Sequence, residues 1–577
     1  MMNGRTPAYN KCQTKGCDLT NENKTCSDAF TVTGYLAHCG CFKEGIPMNQ
    51  SDSFIGKITR ANLGDQLKRN SQHRPDQVAI VYYPNQDERV VITYRELNAR
   101  VNTLASKLRA YGIAKGSKVS MMSGNNPSYA IAIYACLKLG AVFSGVNTRF
   151  CDDEIVSQIE LCESAFFIMD EDNKERIVQI ANRLRFVSNF FILGGSSSSS
   201  IPNSWCRINL SDFDEHAADP EVDVDEDDVA FLLYTSGSES KAKAAIIPHR
   251  NYLMGSVFSA SSFGGHTQND IFLCTLPLYS TAGTTYLITM TQLGGTLILA
   301  NNASPQHLLG LIATEHVTYI THTTTFYLNL LQIPDFDHYD LTSLRICTVF
   351  GGGVTKEMLE RYKKAAPGLL WSVGWGQTEL TGTGCQGFFS SLDEIPEGDL
   401  SWVGTPAPTL EIKLVDENMN ESTIGEAVCR APHVMRGYYN NNELNQKVFK
   451  NGWLHTGDIL RVNHENQHFF VDRIKDIIKS GGFTVSSSEV EAVLNSHPDV
   501  LRSAVVAMSD AHWGEMVVAA IVVKENRKIS EEELTRFCKN RIASYKVPKQ
   551  FHFFENLPVD GAGKVKKKAI KSQLLAR

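Results

Sequence analysis

No apolar run in the 577 residues approaches the roughly 18 that a membrane helix needs. The longest plain one, "MVVAAIVV" over 516–523, has the length and Val/Ile content of a buried strand. The first thirty residues are polar and carry no apolar core segment, so no secretory signal is read there. Basic charge is short as well. The 56 Lys and Arg stand against 63 Asp and Glu, a net charge of −7, which argues against a nucleic-acid partner. Paired CxxC knuckles are missing too. Five of the 14 cysteines, Cys12, Cys17, Cys26, Cys39 and Cys41, crowd the first 41 residues, but their spacing is not that of a zinc site. Residues 1–52 are therefore read as a polar, Cys-containing N-terminal extension without a metal. A soluble, cytoplasmic protein with mostly free thiols is expected.

What is present is an ordinary globular composition, 42% hydrophobic and 21% charged, over a length that supports several domains and more than one core. In "ITYRELNARVNTLASKLRAYGI" a short strand precedes a helix. Leu97, Val101, Leu104, Leu108 and Tyr111 recur there at the spacing of one buried face. "NNPSYAIAIYACLKLGAVFSGVN" repeats the pattern, with a helix ending at Gly140 and an apolar strand beyond. This rhythm implies α/β architecture, open sheets covered by helices on both sides. "GGSSSSS" (194–200) is a surface loop, and the acidic run "EVDVDEDDV" (221–229) is a solvated lead-in to the next strand. The character changes near residue 472. A helix in "SSSEVEAVLNSH", strands "RSAVVAM" and "MVVAAIVV", a helix with Ser530 and Glu533 set as a capping box, and "QFHFF" make a small α+β C-terminal domain.

Chemistry enters at "YTSGSESKAKAAIIPHR" (234–250). An apolar strand, "VAFLLY" (229–234), runs into a loop of small hydroxyl residues and Gly, followed by Lys241, Lys243 and a second strand at "AAII" (244–247). Such a loop suits a polyphosphate, yet it neither opens a helix nor ends in the Gly-Lys-Ser/Thr of a P-loop. Further motifs follow in order: "VFGGGVT" (349–355), "SVGWGQTEL" (372–380), "GWLHTGDIL" (452–460), "DRIKDIIKSGG" (472–482) and "LPVDGAGKVKKKA" (557–569). With the connecting stretches "GEAVCRAPHVMRGYY" (425–439) and "LKLGAVFSGVNTRF" (137–150), the chain from about residue 54 to 577 resembles the adenylate-forming superfamily of acyl-CoA synthetases, adenylation domains and luciferases.

The resemblance implies a large AMP- and acyl-binding domain over 53–471, a hinge at 472–476, and a small mobile domain over 477–577 that carries a catalytic lysine. It implies ATP, Mg²⁺ and coenzyme A, with a carboxylate attacking the α-phosphorus while pyrophosphate leaves. Both reactants are anions, so cations and aimed N–H donors are needed. Lys564 is the expected mobile catalytic lysine, and Lys566, Lys567 and Lys568 are read as solvated. Thr378 would donate to a phosphate and Glu379 would hold Mg²⁺. Thr235, Ser236, Gly237, Ser238 and Lys243 form the phosphate loop. Gly351, Gly352, Gly353, Gly374 and Gly376 would let the backbone approach a purine, with Trp375 stacking on it at a cleft surface. Asp458 and Arg473 would take the ribose, Lys475 the hinge, and Ser480, Gly481 and Gly482 the coenzyme A tunnel. Tyr279, Ser280, Thr281 and Thr381 would line the acid pocket, and His249 is structural.

Two departures stand out. In the family's phosphate loop a Thr usually occupies the position of Glu239, a Gly that of Ser240, a Pro that of Ala242 and a Gly that of Ala244. Like charges at contact distance cost about 1 kcal/mol in water, so Glu239 should slow ATP use without abolishing it. Tyr279 and Ser280 replace an aromatic-His pair, and "HTTTF" (322–326) is more polar than the usual stretch. Both point to a specialised acid, one of secondary metabolism. The expected activity is an ATP-dependent carboxylic acid–CoA ligase. The alternatives are an acyl-AMP ligase that loads a carrier protein or an amine, and a degenerate nucleotide- or acyl-binding relative without turnover. The absence of a carrier domain after residue 577 favours free CoA.

Overall fold

A computed structural model describes residues 60–194, 201–235, 243–261, 265–300, 303–350, 354–510, 512–560 and 563–576. The cysteine-bearing extension, the loop 236–242 with Glu239 and Lys241, and Gly351, Gly352 and Gly353 lie outside the described residues.

The helix Tyr94–Ala110 shows how local sequence sets the elements. Thr93 caps it by accepting from the Glu96 N–H, and the Glu96 carboxylate accepts from the Thr93 N–H in return, a reciprocal box. Leu97, Val101, Leu104 and Leu108 are at most 1% exposed, as their spacing requires. Each burial stabilises by about 2 kcal/mol. Tyr111 breaks the expectation. It is the residue after the helix, 45% exposed, with its hydroxyl 3.0 Å from Cys206 Sγ, because the helix ends before the stripe completes another turn. The helix Pro127–Lys138 ends just ahead of Gly140 and passes into the buried strand Val142–Val146, as read from the sequence.

Among the described residues three sheets form. The first runs Cys206–Ile208, Asn189–Leu193, Phe166–Asp170, Lys118–Met122, Val142–Val146, Val229–Thr235 and Lys243–Pro248, parallel except for the last antiparallel pair. The second is long. Its parallel centre holds Val78–Tyr82, Thr296–Leu299, Ile271–Cys274, Tyr319–Thr323, Ile346–Phe350 and Leu370–Trp375. It then continues antiparallel through Cys385–Phe389, Trp402–Pro406, His468–Arg473 and Trp453–Val462. Parallel strands buried on both faces explain the continuous apolar runs.

The third sheet belongs to the C-terminal segment. It pairs Val500–Asp510 with Gly514–Val523 and is flanked by the helices Ser487–Asn495 and Glu531–Lys539. Ser530 caps the latter by accepting from the Glu533 N–H, one half of the expected box. The fold class is α/β with a smaller α+β C-terminal part. No helix among the described residues is long and apolar enough to cross a membrane. The nine described cysteines, from Cys136 to Cys538, are all free.

Candidate active site

A cleft of about 3020 Å³ is lined by both the large region and the C-terminal segment. Asp458 is one of its lining residues. Glu426 builds the local backbone that presents it: its carboxylate accepts from the Gly457 N–H at 3.0 Å and sits 2.8 Å from His455 Nδ1. Gly457 turns the chain at φ +71, a conformation that a side chain would strain. Asp458 is 4% exposed, with Oδ2 accepting from the Trp375 indole N–H at 2.9 Å and Oδ1 3.3 Å from Arg473 Nε. The two neighbouring strands set Asp458 directly opposite Arg473. Burial pushes this carboxyl above its ordinary range. Arg473, the Trp375 N–H, Lys564 and Lys475 oppose that rise.

Lys564 enters from the C-terminal segment at the tip of a turn. Its backbone N–H donates to Asp560 Oδ1 at 2.9 Å, Asp560 N–H donates back to the Lys564 carbonyl, and Arg502 holds the Gly563 carbonyl at 2.9 Å. Lys564 is solvent-exposed and borders the cleft. Desolvation by the surrounding protein first, and then the Arg473 charge, push the ammonium below its ordinary range, against Asp560 and Asp458. Lys475, on the cleft wall, is depressed by burial and by Arg473.

A second cluster holds Glu379. Its Oε1 accepts from the Tyr438 hydroxyl at 2.5 Å, and Lys243 Nζ lies 5.6 Å from the Tyr438 ring centroid. Thr378 Oγ1 and Thr281 Oγ1 are 2.7 Å apart. Gly376 is needed here, because a Cβ on it would sit 2.5 Å from the Gly382 carbonyl. Thr378, Glu379, Lys243, Tyr279, Ser280, Thr281, Gly374, Trp375, Gly376, Asp458, Arg473, Lys475 and Lys564 all border the one cleft. Thr235 ends its strand, paired in register with Lys243. The Glu379 carboxylate, with Oε1 held by Tyr438, suits Mg²⁺, which takes one or two protein carboxylates and completes its shell with water and phosphate.

Several expectations are corrected. Thr381 does not border the cleft: it is 1% exposed, accepting from Asn251 and donating to the His433 carbonyl. Ser280 borders the cleft, where it caps the helix Thr281–Leu293 and donates to the Pro277 carbonyl. Trp375 borders the cleft and is 6% exposed within the main hydrophobic cluster, with its N–H donating to Asp458. Ser480, Gly481 and Gly482 form the hairpin between Ile478–Ser480 and Phe483–Val485, away from the cleft. Lys567 is not solvated. It pairs with Glu491 at 2.8 Å and donates to Ser487 Oγ at 2.6 Å. His249 is buried, with Nδ1 accepting from the Leu63 N–H, as a structural residue would be. Sequence reasoning missed Tyr438, Glu426 and His455; "RGYY" and "WLHTGD" marked their neighbourhoods, but only folding shows their partners.

Comparison with known proteins agrees with this site. The AMP-binding enzyme pattern matches residues 67–439, and its C-terminal domain pattern matches 489–564. A feruloyl-CoA synthase of Amycolatopsis sp is 30% identical over 83% of this chain and 93% of its own length. A long-chain-fatty-acid–CoA ligase of Mycobacterium tuberculosis is 29% identical over 89% and 99%. The structure of the o-succinylbenzoate coenzyme A synthetase of Bacillus subtilis with ATP and magnesium superposes with a TM-score of 0.74 at 27% identity, covering 88% of this chain and 99% of that one. The chain therefore belongs to the AMP-binding enzymes of the adenylate-forming superfamily.

Proposed function

We infer that the protein is an AMP-forming acid–CoA ligase: a carboxylic acid and ATP give acyl-AMP and pyrophosphate, and coenzyme A then gives the acyl-CoA and AMP. The observation that carries this reading is Lys564, held on a braced turn within electrostatic reach of the Asp458–Arg473 pair and bordering the same cleft. In this reading Lys564 and Arg473 offset the charge that develops between carboxylate and α-phosphate. Asp458, steadied by Trp375 and Arg473, accepts from the ribose hydroxyls. Thr378, Lys243 and the loop from Thr235 through Ser238 meet the phosphates, and Glu379 is the Mg²⁺ ligand. The bound ion supplies charge neutralisation. Tyr279 and Thr281 border the acid, and Gly351 to Gly353 with Gly374 and Gly376 admit the purine.

The division at 472–476 is part of the same proposal. Asp472, 1% exposed, accepts from the Ser487 N–H at 2.6 Å and from its hydroxyl at 2.8 Å, so the last strand before the hinge caps the first helix beyond it. Rotation there would withdraw Lys564 and bring Ser480, Gly481 and Gly482 to the thioester step. A cytoplasmic setting, which keeps free thiols reduced, belongs to this reading. A carrier-protein thiol or an amine in place of coenzyme A gives a different product mass. Acid-dependent ATP–pyrophosphate exchange, followed by mass analysis with coenzyme A, tests the proposal. Exchange and an acyl-CoA product are expected, and silence across a broad acid panel would favour a nucleotide or acyl binder.

A further inference from the structure

The segment 433–439 is a clasp between the strand that carries Lys243 and the turn that carries Glu379. On one side its backbone lies antiparallel to the strand Lys243–Pro248. Arg436 N–H donates to the Ile246 carbonyl at 2.9 Å, Ile246 N–H to the Gly437 carbonyl at 2.8 Å, and Tyr439 N–H to the Ala244 carbonyl at 2.8 Å. On the other side it grips residues 379–381 at three points. The His433 carbonyl accepts from Thr381 Oγ1 at 2.9 Å, Met435 N–H donates to the Glu379 carbonyl at 2.8 Å, and the Tyr438 hydroxyl donates to Glu379 Oε1 at 2.5 Å.

Tyr438 is itself held in place. Its N–H donates to Asn445 Oδ1 at 2.7 Å, and its carbonyl accepts from Asn445 Nδ2 at 2.9 Å. Gly437 before it stands at φ +147, and a Cβ there would come within 3.2 Å of the Asn445 amide. The Tyr438 ring is buried in the main hydrophobic cluster, borders the cleft, and has Lys243 Nζ 5.6 Å from its centroid. Tyr439, next in the chain, donates to Glu163 Oε2 at 2.8 Å and accepts from Lys118 Nζ at 2.7 Å, which pins the clasp to the first sheet.

We propose that Tyr438 is a positioning residue for the adenylation step: its hydroxyl holds the Glu379 carboxylate ready for Mg²⁺, and its backbone keeps that carboxylate at a fixed spacing from Lys243. The proposal deepens the ligase reading and rests on it, with Glu379 as the metal ligand. A glutamate side chain left to itself samples several rotamers, and a metal ion must order it on binding. A charge-assisted hydrogen bond to one carboxylate oxygen does that ordering beforehand. Partners that orient a metal-binding carboxylate change metal affinity by about 10- to 100-fold. Tyr438 acts through Glu379, so its effect belongs to the metal and not to the nucleotide alone.

The test is Mn²⁺ binding, read by electron paramagnetic resonance with α,β-methylene-ATP present, for wild type, Tyr438→Phe, Glu379→Gln and the double variant. Tyr438→Phe keeps the ring that packs in the cluster and lies near Lys243. The Mn²⁺ dissociation constant should rise about tenfold or more, while nucleotide affinity measured by calorimetry in EDTA moves less than about twofold. With the carboxylate already gone the hydroxyl has nothing to hold, so the double variant should bind Mn²⁺ within about twofold of Glu379→Gln. Asn445→Ser loosens the Tyr438 backbone and leaves its hydroxyl; it should weaken Mn²⁺ in the same direction, and it reports if Tyr438→Phe fails to fold. Unchanged Mn²⁺ affinity, an equal loss of metal-free nucleotide affinity, or additive losses in the double variant would overturn the proposal. So would tighter Mn²⁺ in Tyr438→Phe, which would mean that the hydroxyl competes with the metal for Oε1. Any of these, in a wild type that still exchanges pyrophosphate with an acid, leaves the ligase reading intact. A wild type that neither binds Mn²⁺ with the nucleotide nor exchanges pyrophosphate with any acid would overturn both.

Discussion

At the scale of single residues, the candidate site is a problem in placing like charges. Arg473, Lys475 and Lys564 border one cleft; Arg473 disfavours the charged forms of both lysines, and Lys475 that of Lys564. With desolvation the largest cause and Asp560 and Asp458 offsetting it only in part, Lys564 stays below its ordinary range. If the ammonium form is the active one, activity falls as pH rises through that lowered value. Removing a neighbouring cation must then move the fall to higher pH. Lys475→Met is therefore expected to shift the alkaline limb of the adenylation rate upward, read from pyrophosphate exchange between pH 7 and 11; an unmoved or downward-shifted limb would show that the two ammonium groups are not coupled. Lys564, Asp458, Arg473 and Glu379, each in a short motif whose residue type suits the chemistry expected of it, all border the cleft. Thr381 was misread because its hydrogen-bond partners, Asn251 and His433, are set by folding and not by neighbouring letters.

At the scale of elements, what positions Lys564 is a set of contacts far apart in the chain. The helix Ser487–Asn495 carries Glu491, which accepts from the Val505 N–H at 2.7 Å and pairs with Lys567, three residues beyond the catalytic candidate. Arg502, from the strand behind, holds the Gly563 carbonyl. Glu491→Gln keeps the shape but removes the charge that holds Lys567. It should weaken the segment by about 1–3 kcal/mol. It should also lower adenylation by tenfold or more, while thioester formation from supplied acyl-AMP changes little; equal loss in both half-reactions would mark Glu491 as a general structural support. Strands and helices themselves were readable. The apolar runs 229–234 and 516–523 are strands, and the stripe from Leu97 to Leu108 is buried. The basic run 566–568 was not, because a half-buried ion pair and a solvated tail share the same sequence until Glu491 is brought alongside.

At the scale of the whole molecule, the fold keeps several imidazoles neutral. His249, His266 and His433 are each held down at about 4, by burial first. The unfolded chain binds protons at these groups near pH 6.5 and the folded chain does not, so stability is full above about 6.5 and is lost as pH falls toward 4. The loss should reach about 2 kcal/mol per histidine at pH 5. Urea unfolding at pH 7 and pH 5 checks this, and an unchanged midpoint would contradict it. Large-scale organisation was legible from the order of motifs along the chain. Which motifs share the cleft was not, since Ser480 to Gly482 stand apart from it while Lys564, more than eighty residues later, borders it. The account turns on that arrival of Lys564, and replacing it is the most direct measurement. In Lys564→Ala, acid-dependent pyrophosphate exchange should fall by about a hundredfold or more, with acyl-CoA formation from supplied acyl-AMP within a few-fold of wild type; undiminished exchange would contradict the account.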